Sequence, residues 1–255
     1  MDITKELKAL WHTVFHDSAP VIDEFFTAFP MDRLAVAEYC GGELAAAAYV
    51  LPFGELVLPD LSRCGCAHIY AVGVRPDMRG RGLGVEVTNK AYELAQRLGF
   101  PAVVLHPASD SLFDFYRQHC GFSTAFTACV SRTVVSHGGA AALSPVCAEE
   151  YREVRENGLS GILHIDVSPQ VLSLFTKLGG RLYTFDGGCA AVEEDGETAY
   201  FRELISSPGI CAPLSSMTGL ACAVVSAPCA SGGVPFGMLR GAALSGSGYM
   251  GIALE

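Results

Sequence analysis

Basic residues are scarce in this 255-residue sequence: Lys and Arg together number 17 against 27 Asp and Glu, and the formal net charge is −10. Only 4 of the 17 are Lys. A chain this acidic offers no broad basic face to a phosphate backbone, so we do not expect a nucleic-acid-binding protein. Charged residues of either sign make up only 17% of the chain and half of it is hydrophobic, which argues against intrinsic disorder.

Targeting and membrane segments are also lacking. The opening residues, Met1–Glu6, do not combine a basic start with an apolar core, as a signal peptide does. No uncharged apolar run reaches about 18 residues, the length that spans a membrane. We therefore expect a cytoplasmic protein with no membrane partner, in which thiols stay reduced.

The ten Cys residues show no zinc-type spacing. Cys64 and Cys66 form the one close pair, and His68 follows them, so a metal site is conceivable there. We favour the alternative, in which the Cys residues are buried free thiols that pack as small hydrophobic side chains. No metal is expected.

A stretch of small residues with Gly and Pro, from His137 to Pro145, is typical of a linker. It divides the chain into residues 1–137 and 138–255, each long enough to bury a core. Hydrophobic patterns predict helices in the first half at 4–15, 21–29, 82–98 and 111–119, with Thr4 as a possible N-cap of the first and Leu98 among the buried positions of the third. They predict strands at 34–39, 44–50, 67–74 and 102–105 and an extended segment at 122–135, with a hairpin turn at Gly41-Gly42. In the second half they predict helices at 170–178 and 214–223 and strands at 162–167, 181–185, 190–194, 199–205, 224–226, 236–240 and 249–254. The two halves share an element order, which suggests a structural duplication.

The chemically informative segment runs from Val72 to Val85. A strand enters a turn with Pro, three Gly follow at alternate positions with Arg between them, and a long helix begins. Gly permits close approach of a ligand to the backbone, and the N–H groups of a helix N-terminus attract an anion. Arg79 and Arg81 add positive charge, so the pattern predicts a pyrophosphate-binding loop.

Other phosphate-binding motifs do not fit this segment. Gly84 is followed by Val85 and not by Lys-Ser/Thr, which excludes a Walker loop, and no third Gly completes a dinucleotide fingerprint. Glycine-rich turns also precede helices in proteins without any ligand there. Five basic residues fall within residues 60–90, which favours the anion-binding interpretation: Arg63, Arg75, Arg79, Arg81 and Lys90.

Two segments resemble the GNAT superfamily of acyl-CoA-dependent N-acyltransferases. Arg79–Gly84 is similar to its R/Q-x-x-G-x-G/A signature, and Phe115–Phe122 is similar to its Y-x-x-x-G-F segment. The resemblance covers roughly residues 1–135 and implies an α+β fold with a mixed sheet. It further implies a catalytic domain at 1–137 and a degenerate GNAT-like companion at 138–255, that is, a tandem arrangement. The helix region Pro213–Leu220 of the second half lacks the signature, so no cofactor is expected there.

The resemblance assigns acetyl-CoA to particular positions. In the family the strand before the signature pairs with the pantetheine arm, which maps to Val72, Gly73 and Val74. The pyrophosphate maps to Arg79, Gly80, Arg81, Gly82, Leu83 and Gly84. Ser109 stands where the family often has a residue touching the cofactor arm; the alternative is a helix cap at Ser109–Ser111.

The resemblance also implies that Tyr116 is the general acid that protonates the departing thiolate. The alternative is a core Tyr beside Phe113 and Phe115. A backbone N–H near Val72 is expected to stabilise the oxyanion. No acid lies on the strand before the signature; His68 titrates near neutral pH, but a structural role is favoured over a base. The carboxylate of Glu255 and a water relay are the remaining candidates for taking up the proton.

The leading hypothesis is therefore an acetyl-CoA-dependent N-acetyltransferase that acts on a primary amine by direct attack on the thioester. The alternatives are a non-catalytic acyl-CoA-binding sensor or interaction module and a purely structural protein. The net charge of −10 favours a cationic, amine-bearing acceptor through electrostatic steering.

Overall fold

A computed structural model describes residues 2–134, 143–206, 221–229, 232–242, 244 and 246–254. The helices are α1 (Ile3–Phe15), α2 (Ala19–Ala28), α3 (Met31–Leu34), α4 (Leu83–Arg97), α5 (Asp110–His119), α6 (Ala148–Gly158) and α7 (Pro169–Lys177). The strands are β1 (Ala35–Cys40), β2 (Glu43–Val57), β3 (Arg63–Val74), β4 (Ala102–Leu105), β5 (Ser123–Val134), β6 (Ser144–Pro145), β7 (His164–Val167), β8 (Arg181–Phe185), β9 (Gly188–Asp195), β10 (Thr198–Ser206), β11 (Cys222–Ala227) and β12 (Val234–Arg240). Among the described residues, no helix is both long and apolar enough to cross a membrane.

The chain forms two compact units. The first comprises Met1–Gly54, Cys64–Thr124 and Gly237–Leu244. The second comprises Glu55–Arg63, Ala125–Phe236 and Ser245–Glu255. Each unit is assembled from separate stretches of sequence.

A mixed sheet in the order β1-β2-β3-β4-β12 organises the first unit. The predicted hairpin is confirmed, because β1 and β2 pair antiparallel around Gly41 and Gly42, both at positive φ. β4 runs parallel to β3, which requires the crossover that α4 supplies. β4 also pairs antiparallel with β12, in the register Met238↔Leu105 to Arg240↔Val103.

Helices α1 and α4 follow the predicted periodicity with local corrections. The N-cap of α1 is Asp2 and not Thr4, because the Asp2 carboxylate accepts a hydrogen bond from the Thr4 N–H at 3.1 Å. Thr4 lies inside the first turn. Helix α4 turns Val87, Thr88, Ala91 and Ala95 inward, so its buried side chains are smaller than the periodicity indicated. Leu98, predicted to be buried, is 45% exposed.

Arg240, the last residue of β12, fixes that strand in the first unit. Its Nη1 donates to the Cys120 carbonyl oxygen at 2.8 Å and to Asn89 Oδ1 at 2.7 Å. Its guanidinium lies 3.8 Å from the ring centroid of Tyr92. These contacts join β12 to helix α4 and to the end of helix α5. Helix α4 follows the signature loop, residues 79–84.

We expect Arg240→Met to lower the free energy of unfolding by about 1–3 kcal/mol, because the Cys120 carbonyl and the Asn89 amide lose a charged donor. Urea unfolding followed by circular dichroism measures the loss. The control is Arg181→Met, since Arg181 is exposed and its pair with Glu194 contributes little. Equal stability of the two variants would contradict the assigned role of Arg240.

The second unit contains an antiparallel meander, β8-β9-β10, preceded by helices α6 and α7. β11 runs parallel to β10, and β5 pairs antiparallel with β11. Helix α6 was missed by the sequence analysis. The predicted strand 249–254 is wrong: Tyr249 forms only an isolated bridge with His164, and the residues after it adopt no regular structure.

Two other predictions concern residues beyond or at the edge of the described chain. The linker residues 137–142 lie outside the described residues, and so does most of the predicted helix 214–223. Its last two positions, Cys222 and Ala223, begin strand β11 instead. Ala223 packs in the apolar cluster of the second unit, which explains the strand.

The expectation of ten free thiols is wrong for Cys129 and Cys229, which form a disulfide across 100 residues of sequence. Cys129 lies on β5, and Cys229 follows β11, the antiparallel neighbour of β5. The pairing of β5 with β11 brings Cys129 and Cys229 together, and their spacing along the sequence did not indicate this disulfide. Cys66 and Cys189 are fully buried free thiols, as expected.

Asp166 on β7 is the centre of an ion cluster in the second unit. Its buried carboxylate accepts hydrogen bonds from Arg152 Nε at 2.6 Å and from Arg63 Nη1 at 2.6 Å. Burial alone would raise the pKa of Asp166, but the hydrogen bonds from Arg152 and Arg63 outweigh it and hold the pKa below its usual range. The ionised form is thus bound more strongly in the folded chain than in the unfolded one.

Asp166 should therefore stabilise the fold fully above about pH 4, the carboxyl's unfolded pKa, and lose that contribution as the pH falls through its lowered folded pKa. We expect Asp166→Asn to cost about 2 kcal/mol at pH 7, and the difference from the parent protein to shrink near pH 3. Urea midpoints at both pH values test this, with the exposed Glu194→Gln as control. A difference that grows in acid would contradict the assignment.

Candidate functional site

Strand β3 carries the first part of the predicted acetyl-CoA site. Its parallel ladder with β4 runs from Cys66↔Ala102 to His68↔Val104, whereas β3 itself continues to Val74. Ala71 adopts a left-handed φ of 47°, which interrupts the extended strand just before Val72. The backbone of 72–74 therefore runs on past the end of the β3–β4 ladder, as an edge that an extended amide chain could pair with.

Gly73 sits tightly against helix α1. A Cβ at this position would lie 3.2 Å from Phe15 Cε2 and 3.4 Å from Val14 Cγ1. Glycine thus lets α1 pack closely on the end of β3. This gives the Gly a packing role that does not depend on a ligand.

The loop between β3 and α4 has the geometry of an anion site. A 3₁₀ turn at Pro76–Met78 leads to Gly80 and Gly82, which have φ of 77° and 81°. A Cβ at either would meet no atom within 4 Å, so backbone conformation and not crowding favours glycine there. Gly82 is the N-cap of the 15-residue helix α4, and no side chain caps the first turn. The N–H groups of that turn are therefore available to an anion.

Two of the five basic residues of the 60–90 cluster suit this loop. Arg79 Nε donates to the Val74 carbonyl oxygen at 3.3 Å, which ties the loop back to β3. Arg81 is exposed, and its charge contributes to lowering the pKa of Asp77, after the larger effect of the hydrogen bond from Arg75.

The other three basic residues are engaged by carboxylates. Arg75 pairs with Glu43 and Asp77, Lys90 pairs with Glu38 and Glu86, and Arg63 pairs with Glu55, Glu156 and Asp166. The interpretation of all five as a basic environment for phosphate is therefore wrong for these three, because acidic neighbours neutralise them.

Helix α5 places Tyr116 in the apolar core of the first unit. The side chain is 8% exposed and packs beside Phe122, with ring centroids 6.3 Å apart. Burial raises the pKa of Tyr116, with a smaller contribution from Cys120, so the phenol stays protonated at neutral pH. Four residues separate Tyr116 from Gly121, one more than in the Y-x-x-x-G-F pattern, so this segment departs from that pattern.

Phe115 is the member of α5 that contacts the signature loop. Its Cζ lies 3.7 Å from the position of a Cβ on Gly84, and Val74 Cγ2 lies at the same distance. A larger residue at 84 would press on both side chains. Sequence reasoning missed this contact, and the adjacent Tyr116 was the only signal that α5 approaches the loop.

Ser109 is the N-cap residue of α5, but its hydroxyl does not cap the helix. It shares a hydrogen bond of 3.1 Å with the Ser111 hydroxyl instead, and both residues are exposed. Ser109 therefore occupies the N-cap position that the capping alternative gave it, but its side chain makes no capping hydrogen bond.

His68 is a buried structural residue. It is 2% exposed, lies 4.8 Å from the Phe53 ring and 5.6 Å from the Tyr70 ring, and its Nδ1 has no hydrogen-bond partner. Burial, with a smaller effect from His106, lowers the pKa of His68 to about 3. The His68 imidazole is therefore neutral at pH 7 and does not accept a proton there, which agrees with the favoured structural role.

Two remaining expectations concern residues that the structure does not describe. Glu255 and Pro213–Leu220 lie outside the described residues. Within the described ranges, no three His, Cys, Asp or Glu side chains come together as a metal site requires.

Comparison with known families decides the identity of the first unit. The profile of an acetyltransferase (GNAT) domain family matches residues 2–125. Residues 2–125, just under half of the chain, are thus similar in sequence to GNAT acetyltransferase domains. That match spans β3, the glycine loop, α4 and α5. No curated protein matches the sequence.

Solved GNAT structures match nearly the whole chain. A GCN5-related N-acetyltransferase from Kribbella flavida has a TM-score of 0.71 and 16% identity, covering 92% of this chain and 68% of its own. One from Anabaena variabilis ATCC 29413 has a TM-score of 0.67 and 17% identity, covering 93% and 70%. A tandem GNAT protein from the clavulanic acid biosynthesis pathway has a TM-score of 0.52 and 12% identity, covering 95% of each chain. The predicted GNAT-like α+β fold with a mixed sheet is confirmed.

Proposed function

We propose that this GNAT protein is an acetyl-CoA-dependent N-acetyltransferase that acts on a primary amine. The uncapped N-terminus of α4 behind Gly80 and Gly82 is the observation that carries the proposal. It offers backbone donors and a helix dipole to a pyrophosphate, with Arg79 and Arg81 beside it. The match of residues 2–125 to an acetyltransferase (GNAT) domain supports acyl transfer as the reaction.

The strand edge beyond His68 supports the second half of cofactor binding. Val72, Gly73 and Val74 continue past the end of the β3–β4 ladder, so their backbone groups can pair with the two amides of a pantetheine arm. Ser109, exposed and not engaged in capping, supplies a hydroxyl at the start of α5. Leu83 and Gly84 complete the first helical turn under the phosphates.

The transfer proceeds by direct attack. The amine nitrogen adds to the thioester carbonyl carbon, and the oxyanion that forms accepts a hydrogen bond from a backbone N–H near Val72. The C–S bond then breaks, the Tyr116 phenol donates its proton to the thiolate, and the proton lost by the amine returns through water to the Tyr116 phenolate. Burial keeps Tyr116 protonated before the step, as a general acid requires.

The two compact units have a related element order. In the first, helices α1, α2 and α3 precede strands β1, β2 and β3; in the second, helices α6 and α7, with β7 between them, precede strands β8, β9 and β10. In each, a later strand then runs parallel to the last of the three: β4 to β3, and β11 to β10. This order supports a catalytic unit based on residues 1–137 and a degenerate GNAT-like companion based on 138–255. We further propose a cytoplasmic protein that binds neither nucleic acid nor membrane and uses no metal.

A non-catalytic acyl-CoA sensor is the second candidate. The burial of His68 favours it, since burial lowers the pKa of this imidazole on β3 to about 3, so His68 cannot take up a proton as a base near neutral pH. The acidic net charge agrees equally well with both candidates. Turnover of an amine acceptor distinguishes the enzyme from the sensor.

Tyr116→Phe separates the enzyme from the sensor. We expect kcat to fall by at least about 100-fold, because the leaving thiolate loses its proton donor, while the Kd for acetyl-CoA from isothermal titration changes less than about threefold. Tyr39→Phe, on an exposed tyrosine of β1, is the matched control. Binding of acetyl-CoA without turnover of any amine in the parent protein would favour the sensor, and absence of binding would contradict both.

A further inference from the structure

The ladder between β3 and β4 ends at a partly open point of the first unit. Its last pair joins His68 to Val104. Around this pair the sheet is closed, because residues 66–69 and the whole of β4 are buried. Beyond it, residues 70–72 and His106 are half-buried. The two strands therefore become accessible where the pantetheine arm is proposed to meet the backbone.

The sheet has two different faces at this point. On the first face, Ile69 of β3 and Tyr116 of α5 belong to one buried apolar cluster. Side chains alternate along a strand, so His68 and Tyr70 lie on the second face. There the Tyr70 ring stacks on Phe25 of α2 with centroids 5.1 Å apart, and the His68 ring lies 5.6 Å from the Tyr70 ring. The second face is thus aromatic and turned away from Tyr116.

The end of β4 places His106 on the second face. Leu105 belongs to the apolar cluster of the first face, so the next side chain, that of His106, points the opposite way. Pro107 follows and favours an extended backbone at His106, so the alternation continues beyond β4. The pKa of His68 is lowered mainly by burial and further by the charge of His106, which agrees with two imidazoles on one face.

The parallel register brings His106 close to the proposed reacting centre. Continued by two residues beyond the last pair, the register makes His106 the counterpart of Tyr70. Only the irregular Ala71 separates Tyr70 from Val72, where the thioester is proposed to lie. Tyr116 serves the sulfur from the first face, so the amine approaches from the second.

Two properties suit His106 to removing a proton from that amine. Histidine is the side chain most often used as a general base, and its two ring nitrogens act separately, so one can take a proton while the other keeps a hydrogen bond. His68 is buried on the same face, whereas His106 is half-buried and accessible to a substrate. The sheet also keeps the base apart from Tyr116, so the phenol proton reaches the thiolate and not the imidazole.

We propose that His106 is the general base of the transfer, an inference that rests on the proposed acetyltransferase function. The amine nitrogen bonds to the thioester carbonyl carbon and loses one proton to a ring nitrogen of His106. The C–S bond then breaks, and the Tyr116 phenol donates its proton to the thiolate. The His106 imidazolium returns a proton through water to the Tyr116 phenolate, so both side chains regain their starting states.

His106→Gln tests the proposal, because glutamine keeps a hydrogen-bonding side chain but cannot serve as a base. The assay uses acetyl-CoA with the best acceptor among benzylamine, spermidine and glycylglycine. We expect kcat to fall at least about 100-fold, whereas the Kd for acetyl-CoA from isothermal titration changes less than about threefold. Added imidazole should raise the kcat of His106→Ala at least about tenfold. His12→Gln, on an exposed histidine of α1, is the matched control and should keep the parent kcat.

Two results would overturn this inference and leave the proposed function standing. One is a kcat of His106→Gln within about threefold of the parent value. The other is a loss in His106→Ala that imidazole does not reduce, which would show a positioning role. If urea unfolding shows that His106→Gln does not fold, His106→Asn replaces it. A parent protein that binds acetyl-CoA but acetylates none of the three amines would contradict the enzyme proposal itself, and this inference with it.

Discussion

Replacing Gly82 by Glu should weaken acetyl-CoA binding at least about 100-fold, equivalent to about 2.7 kcal/mol. The new carboxylate would stand at the N-cap of α4, where the helix dipole and free N–H groups are proposed to hold the pyrophosphate. It would compete for those donors and repel the phosphates. Isothermal titration of the variant with acetyl-CoA measures the loss.

The substitution also places a side chain at a φ of 81°, so its backbone cost must be separated from its charge. Gly99→Glu is the matched control: Gly99 has a φ of 87°, faces open space like Gly82, and follows the opposite end of α4. It should lose stability to a similar degree and keep its affinity. Gly82→Ala adds strain without charge and should fall between. Normal binding by Gly82→Glu would exclude the loop as the pyrophosphate site.

Local signals explain why so much of the first unit could be predicted from sequence. The turn at Gly41-Gly42 fixes the β1–β2 hairpin, and Gly82 and Gly99 bracket α4 at positive φ. The strand 102–105 is continuously apolar and is buried along its whole length. Each of these features depends on residues adjacent in sequence, so a single sequence contains it.

Features that depend on distant residues could not be predicted. β12 pairs with β4 from more than a hundred residues along the chain, and Arg240 then reaches Cys120 and Asn89. Composition and periodicity identify a strand at 236–240 but not its partner. The same holds for the disulfide between Cys129 and Cys229.

The site shows the same division. The glycine loop follows from local backbone requirements, and its geometry agrees with the motif. The ion-pair partner of each Arg does not follow from adjacent residues, because Glu43, which binds Arg75, lies on strand β2. The irregularity at Ala71 had no sequence signal at all, since alanine has no preference for positive φ.

The sequence analysis did not predict helix α6 because the helix is mostly polar, and one of its charged residues, Arg155, is buried. Arg155 is completely buried in the second unit, and its Nε donates to both Glu203 carboxylate oxygens at 2.8 Å. Its Nη1 donates to the Ile165 carbonyl oxygen at 2.7 Å. A buried Arg cannot be told from a solvated one in an isolated sequence, so the helix resembled a surface loop.

The second large effect is expected at this pair. Glu203→Ala should lower the free energy of unfolding by about 3 kcal/mol, because it removes the buried carboxylate that accepts from Arg155 Nε and leaves only Glu156, at 3.2 Å from Nη1, as a counter-charge. Arg155 Nη2 already has no hydrogen-bond partner, and the substitution would leave Nε without one as well. Urea unfolding followed by circular dichroism measures the effect.

The double variant Arg155→Met, Glu203→Leu is the test of cause. It removes both charges and keeps most of the volume, so it should recover the greater part of the stability that Glu203→Ala loses. Glu193→Ala is the control, because its partly exposed pair with Arg202 should contribute about 1 kcal/mol or less. If the double variant were as unstable as Glu203→Ala, the loss would arise from packing and not from an uncompensated charge. A double variant that is stable and still binds acetyl-CoA would show that the pair supports the second unit alone.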